Sequence, residues 1–158
     1  MDAVVISPAE CRRIARLAAG IPRHWWIVAP DDPGAEVACC AAAGSPSPVF
    51  SISPGSPVPA MQRVGAQGLR TRVFLSGGAS PAAAGWQRPL GLLCLPAGGP
   101  GLRPLVAAWA GHVSPRGYVA FYGGRAPGVR ALGLRTDLWT TYPEGASAPF
   151  LLMRRPFG

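Results

Sequence analysis

Lysine and asparagine do not occur in this sequence, so all 15 basic residues are arginine. Alanine, glycine and proline are abundant beside them. GC-rich coding produces such a composition, and the arginines carry correspondingly little functional information. Only 14% of the chain is charged, and histidine occurs twice, at His24 and His112. The cysteines, Cys11, Cys39, Cys40 and Cys94, form no C-x-x-C pair. A structural zinc site needs about four convergent ligands, with recognisable spacing; nothing here supplies it, and no metal is expected. The cysteines read as small buried thiols of a reducing compartment, with the adjacent Cys39 and Cys40 pointing to different faces of a helix. No apolar run approaches the roughly 20 residues that span a bilayer. Met1 to Pro8 has no basic stretch ahead of its short apolar patch, so it makes a poor signal peptide. These absences predict a cytoplasmic protein with no membrane association. The strings G-x-G-x-x-G, P-loop and G-x-S-x-G are also missing, which removes common dinucleotide, nucleotide and hydrolase signatures.

What is present is apolar. Hydrophobic residues make up 49% of 158 residues, enough for one ordinary domain with a substantial core, here expected over 1–158. Pro8–Ala19 reads as an amphipathic helix within a leading segment 1–20, with Ser7 as its N-cap and Pro8 at the first helical position. Ile14, Leu17 and Ala18 share one face of it. Seven apolar runs follow: Trp25–Ala29, Val49–Ser53, Arg72–Leu75, Leu90–Leu95, Tyr118–Tyr122, Leu138–Tyr142 and Phe150–Met153. The first five are nearly continuous, as in parallel strands covered on both faces. Helix-compatible segments separate them at Gly34–Ala43, Pro59–Gln67, Pro81–Trp86, Leu102–His112 and Pro127–Leu134. This alternation over 25–134 predicts right-handed βαβ units. Within 138–154 the gap between the last two runs is too short for a helix, so they should form an antiparallel hairpin. The expectation is an α/β, doubly wound, Rossmann-like sheet of about seven strands, mostly parallel, ending in that hairpin.

Several local strings meet this pattern. Trp86 to Leu95, Leu102 to His112, and Ser114-Pro115-Arg116-Gly117-Tyr118-Val119-Ala120-Phe121-Tyr122 resemble the class I S-adenosylmethionine-dependent methyltransferases, and more narrowly their small-molecule O-methyltransferase-like group. Val49 to Pro54 resembles a "VYSIDP" strand of that group, Leu75 to Ser80 its "L..GDS" turn, and Pro127-Gly128-Val129 a "PGV" helix opening. The resemblance implies S-adenosylmethionine as cofactor and methyl transfer as the reaction.

At the functional positions of that template the chain departs from it. Where the first strand carries an acid, Val28 stands. Where the glycine-rich loop belongs, the chain reads Pro30-Asp31-Asp32-Pro33-Gly34, and only Gly34 matches. Ser53 replaces the acid that bonds the cofactor's ribose, Ala79 replaces the acid after the third strand, and Pro96-Ala97-Gly98-Gly99 replaces "DGDH". Tyr122-Gly123 replaces "HD". Hard cations need oxygen ligands, and the loop at 96–99 has none on its side chains. The cofactor-contact candidates are thus Asp31, Asp32, Gly34, Ser53, Gly78 and Ser80. Asp31 and Asp32 also suit helix capping, Ser76 and Ser80 flank a Gly-Gly turn able to hold an anion, and His112 suits the end of a helix.

The reading that follows is a degenerate, non-catalytic methyltransferase-like domain that binds a partner or small ligand and carries no cofactor. A divergent S-adenosylmethionine-dependent small-molecule methyltransferase is the alternative. A basic RNA- or ribonucleoprotein-associated protein is a further one, given the net charge of +8, although the arginines form no block. The chain lacks the substrate-covering insertion of many relatives, which makes a homodimer an expectation as well.

Overall fold

A computed structural model describes residues 6–53, 55–77, 88–96, 102–123, 139–142 and 151–154. Helix α1 spans Pro8–Ala19. Strand β1 (Trp26–Ala29) leads to α2 (Glu36–Gly44), β2 (Val49–Ile52) to α3 (Val58–Ala66), and β3 (Val73–Ser76) precedes β4 (Leu90–Pro96). Helix α4 (Leu102–Trp109) continues into a 3-10 turn, Ala110–His112, before β5 (Val113–Tyr122), and β6 (Trp139–Tyr142) and β7 (Leu151–Arg154) end the order. The expected helices at Pro81–Trp86 and Pro127–Leu134 lie outside the described residues.

The sheet has seven strands in the order β3-β2-β1-β4-β5-β7-β6. The first five are mutually parallel, and β7 pairs antiparallel with both β5 and β6. The doubly wound sheet with its terminal hairpin is therefore as the sequence predicts. Strand β5 begins five residues earlier than expected, at Val113. Its extra residues bulge: Leu90 pairs with Val113 but Leu92 with Tyr118, and Arg116 takes a left-handed φ of 70° inside the bulge. A β carbon on Gly91 would sit 2.6 Å from Ile21 Cγ2, so the irregularity coincides with a site where only glycine fits.

Periodicity explains which faces close. Every residue of β4 is buried, as continuous apolar strands between two helical layers must be. Its Leu92 and Cys94 join Ile14, Ala18, Ile27, Val37 and Ala38 beneath α1 and α2. Leu90, Leu93 and Leu95 join Val106, Trp109 and Phe121 beneath α4 on the other face. Trp109 is wholly buried there. Trp26 instead stacks near Phe50 and Phe74, with the Arg88 guanidinium 5.2 Å above its ring.

Helix α1 starts at the expected N-cap, Ser7, and Glu10 completes a capping box with it. The Glu10 N–H donates to Ser7 Oγ, and Ser7 N–H donates back to Glu10 Oε1. Alanines in α2 let α1 approach closely. At Gly44 a β carbon would lie 2.6 Å from the Ala15 Cα, so the two backbones meet there. The Arg72 guanidinium, at the foot of β3, donates to the carbonyls of Ala42 and Ser45 and closes the far end of α2.

One expectation is corrected. Cys11 and Cys40 are not two separate thiols but a disulfide joining α1 to α2, with their Cα atoms 5.3 Å apart. Cys39 and Cys94 are free and buried, as expected. Sequence spacing gave no sign of the bond because 29 residues separate its ends; only the close packing of two helices brings them together.

Candidate functional site

Open parallel sheets bind ligands outside the carboxyl ends of their strands. Here those ends are Ala29 of β1, Ile52 of β2, Ser76 of β3, Pro96 of β4 and Tyr122 of β5, and the loop after β1 is tied to the end of β2 by the Asp32 N–H and the Ile52 carbonyl. That loop has two left-handed residues that are not glycine, Asp31 at φ 60° and Ala35 at φ 55°. Each costs on the order of 1 kcal/mol against an extended or helical conformation, less for aspartate. Gly34, the one template glycine retained, is not conformationally required. A β carbon there would make ordinary contact with Glu36 Cγ at 3.5 Å.

Asp32 turns inward and is only 3% exposed. Its Oδ2 accepts the Ala38 N–H at 3.0 Å and lies 3.5 Å from the Ser51 hydroxyl. Ala35 occupies the N-cap position of α2 without a side-chain cap, so Asp32 supplies the capping oxygen from three residues upstream. The capping role expected from sequence is thus filled by Asp32. Desolvation pushes its carboxyl up to about 6, opposed by the amides of Ala38 and Val37. Asp31 is exposed, and partial desolvation raises its carboxyl as well.

Ser53 is also turned inward, at 2% exposure, and its hydroxyl donates to the Asp32 carbonyl at 3.2 Å. The main chain repeats the tie. Asp32 N–H donates to the Ile52 carbonyl, and Ser53 N–H to the Ser76 carbonyl. The structure therefore brings Asp32 and Ser53 together, sets Asp31 and Gly34 on the same loop, and makes a closed polar network out of the first pair. Gly78, Ser80, Ala79 and the loop at 97–99 lie outside the described residues. His112 ends the 3-10 turn 6.3 Å from the Trp109 ring and is exposed.

Sequence reading missed two groups. Tyr122, at the end of β5, is 3% exposed. Burial chiefly, and then the charges of Asp32, Asp31 and Glu10, drive its ionisation well above the ordinary tyrosine range. Glu10 reaches this strand end from α1, where its Oε2 accepts the Gly123 N–H at 2.7 Å. The capping-box pattern marks Glu10 as a helix-starting residue, and nothing in the sequence links it to a position 113 residues away.

No protein-family model matches this chain, and no curated protein is similar to it in sequence. Solved structures are similar in fold. A methyltransferase from Geobacter sulfurreducens superposes with a TM-score of 0.72 over 96% of this chain and 81% of that one, at 22% identity. A Staphylococcus aureus protein assigned as a caffeoyl-CoA O-methyltransferase gives 0.75 over 96% and 85%, at 11% identity. An rRNA methylase from Streptococcus thermophilus gives 0.69 over 98% and all of its own chain, at 16% identity. The fold is that of the methyltransferases, as the local strings imply. These structures differ in what their names say they methylate.

Proposed function

We propose that this chain is a methyltransferase-fold protein that transfers no methyl group and binds a partner protein or small ligand instead. The observation that carries the reading is the direction of Asp32 and Ser53. A ribose contact needs an acceptor or donor facing the cleft. Both side chains are buried, with the Asp32 carboxylate bonded to the first turn of α2 and the Ser53 hydroxyl to the Asp32 carbonyl. Catalysis also needs a group that takes a proton from the acceptor substrate. Among the described strand-end groups other than the exposed Asp31, Asp32 is tied to α2, Glu10 is bonded to the Ser7 and Gly123 amides, and burial favours the neutral form of Tyr122.

Calorimetry with S-adenosylmethionine and S-adenosylhomocysteine tests this. The expected result is no saturable heat with millimolar ligand; micromolar binding of either compound overturns the proposal.

A divergent methyltransferase is the second reading, favoured by the neighbours' shared activity and by Asp31, whose exposed carboxylate is the one loop acid free to meet a cofactor. It requires that Asp31→Asn weaken S-adenosylmethionine binding at least tenfold. A variant that binds like the parent protein removes Asp31 from that role.

A further inference from the structure

The Cys11–Cys40 bond joins two segments that meet at the candidate site. Cys11 lies in the first turn of α1, directly after Glu10, and Cys40 lies in the middle of α2, whose N-terminal turn is capped by Asp32. The bond therefore fixes the end of α1 from which Glu10 reaches the Gly123 amide at the tip of β5. Farther along, α1 is held by packing: Ile14 and Ala18 are buried, and Ala15 abuts Gly44. The first turn has no buried apolar residue of its own, and Ile6 just ahead of it is only partly buried against the core; within the turn the disulfide and the Glu10 contacts are what hold it.

Both bonded cysteines are half-buried, within reach of a small thiol. The free thiols, Cys39 and Cys94, are buried, and burial raises both above the ordinary cysteine range. A thiol needs its thiolate to exchange, so the two free cysteines compete poorly for the bond.

We propose that Cys11–Cys40 is a reversible thiol–disulfide site that clasps the first turn of α1 over the strand-end cleft, so that its redox state sets whether Glu10 holds Gly123. Reduction proceeds by exchange with a small-molecule thiol of the glutathione class. Its thiolate attacks Cys40 Sγ, the sulfur–sulfur bond breaks, and Cys11 leaves as a thiolate that takes up a proton. A second thiol attacks the mixed disulfide and releases Cys40. The protein gains two electrons and two protons, and two small thiols become one disulfide. Oxidation runs the same steps backwards with the small-molecule disulfide as oxidant. The clasp operates whether or not the cleft takes a cofactor.

The test is to equilibrate the full chain in glutathione buffers of graded ratio, trap thiols by alkylation and read each cysteine by mass spectrometry. Hydrogen exchange is followed in the same samples. Cys11 and Cys40 are expected to titrate together as one two-electron couple while Cys39 and Cys94 stay reduced. Exchange at the Gly123 amide is expected to rise at least tenfold on reduction. In Glu10→Ala it should already be raised in the oxidised protein, with little further change on reduction. A Cys39→Ser protein should behave like the parent. Thiols at Cys11 and Cys40 throughout, or a Gly123 amide equally protected in both states, overturn the proposal.

Discussion

Burial raises the Asp32 carboxyl to about 6 from an ordinary value of 3.8. A carboxyl whose folded value lies above its unfolded one binds its proton more tightly when folded. The stability it contributes is full below about pH 4 and is lost as pH rises towards 6. The penalty at neutral pH is on the order of 2–3 kcal/mol. Asp32→Asn keeps an oxygen for the Ala38 amide and removes the charge. We expect the variant to be more stable than the parent at pH 7.5 and to lose nearly all of that gain at pH 3.5, read from denaturation midpoints. Equal gains at both pH values would mean that the carboxyl titrates normally. Tyr122 poses the complementary question. A buried hydroxyl without an acceptor costs roughly 1–3 kcal/mol, so if the Tyr122 hydroxyl makes no hydrogen bond, Tyr122→Phe should leave stability unchanged or raise it by up to about 1 kcal/mol. A loss above that would place an acceptor on the hydroxyl.

At the scale of elements, α1 is held to α2 by close backbone approach and a disulfide. Its packing on α2 depends on Gly44, where the Ala15 backbone occupies the space a side chain would need. Gly44→Ala should cost roughly 3 kcal/mol or more, because backbone rather than a flexible side chain must move. The disulfide closes a loop of 29 residues, so reduction should lower stability by about 3 kcal/mol; thermal melts with and without reductant measure it. Most of the sheet was legible from period and punctuation. Continuous apolar runs such as Leu90–Leu95 have few alternatives to a doubly covered strand, and Ser7-Pro8 marks the start of α1. The bulge in β5 was not legible, because Ser114-Pro115-Arg116-Gly117 reads as a turn and only pairing with β4 draws it into the strand. The site was half legible. The template showed which acids were missing, but whether Asp32 and Ser53 face the cleft or each other is decided by the loop's left-handed residues, Asp31 and Ala35. The sequence does not favour that conformation at either position. Glu10 and Cys11 belong to the site through contacts far along the chain, which local pattern cannot reveal.

Over the whole molecule the two signs of charge are unevenly placed. The chain carries 15 arginines against seven acids. Four of those acids gather at one end of the sheet: Glu10, Asp31 and Asp32 act on the Tyr122 hydroxyl, and Glu36 acts on Asp32. The Glu36–Arg63 pair, 3.8 Å apart and exposed on both sides, adds little to stability. Among the described residues, the charges at these strand ends are negative, on a protein with a net charge of +8. Polyanions should therefore bind elsewhere on the surface, weakly and without sequence preference, through scattered arginines. Counterion release makes such binding fall steeply with salt. Heparin retention is expected to be lost at moderate ionic strength and to be the same for Asp31→Asn and the parent protein. If Asp31→Asn instead strengthens retention beyond what one fewer negative charge explains, nucleic acid approaches the strand ends. The RNA-associated reading would then displace the one that keeps this cleft for a partner or small ligand.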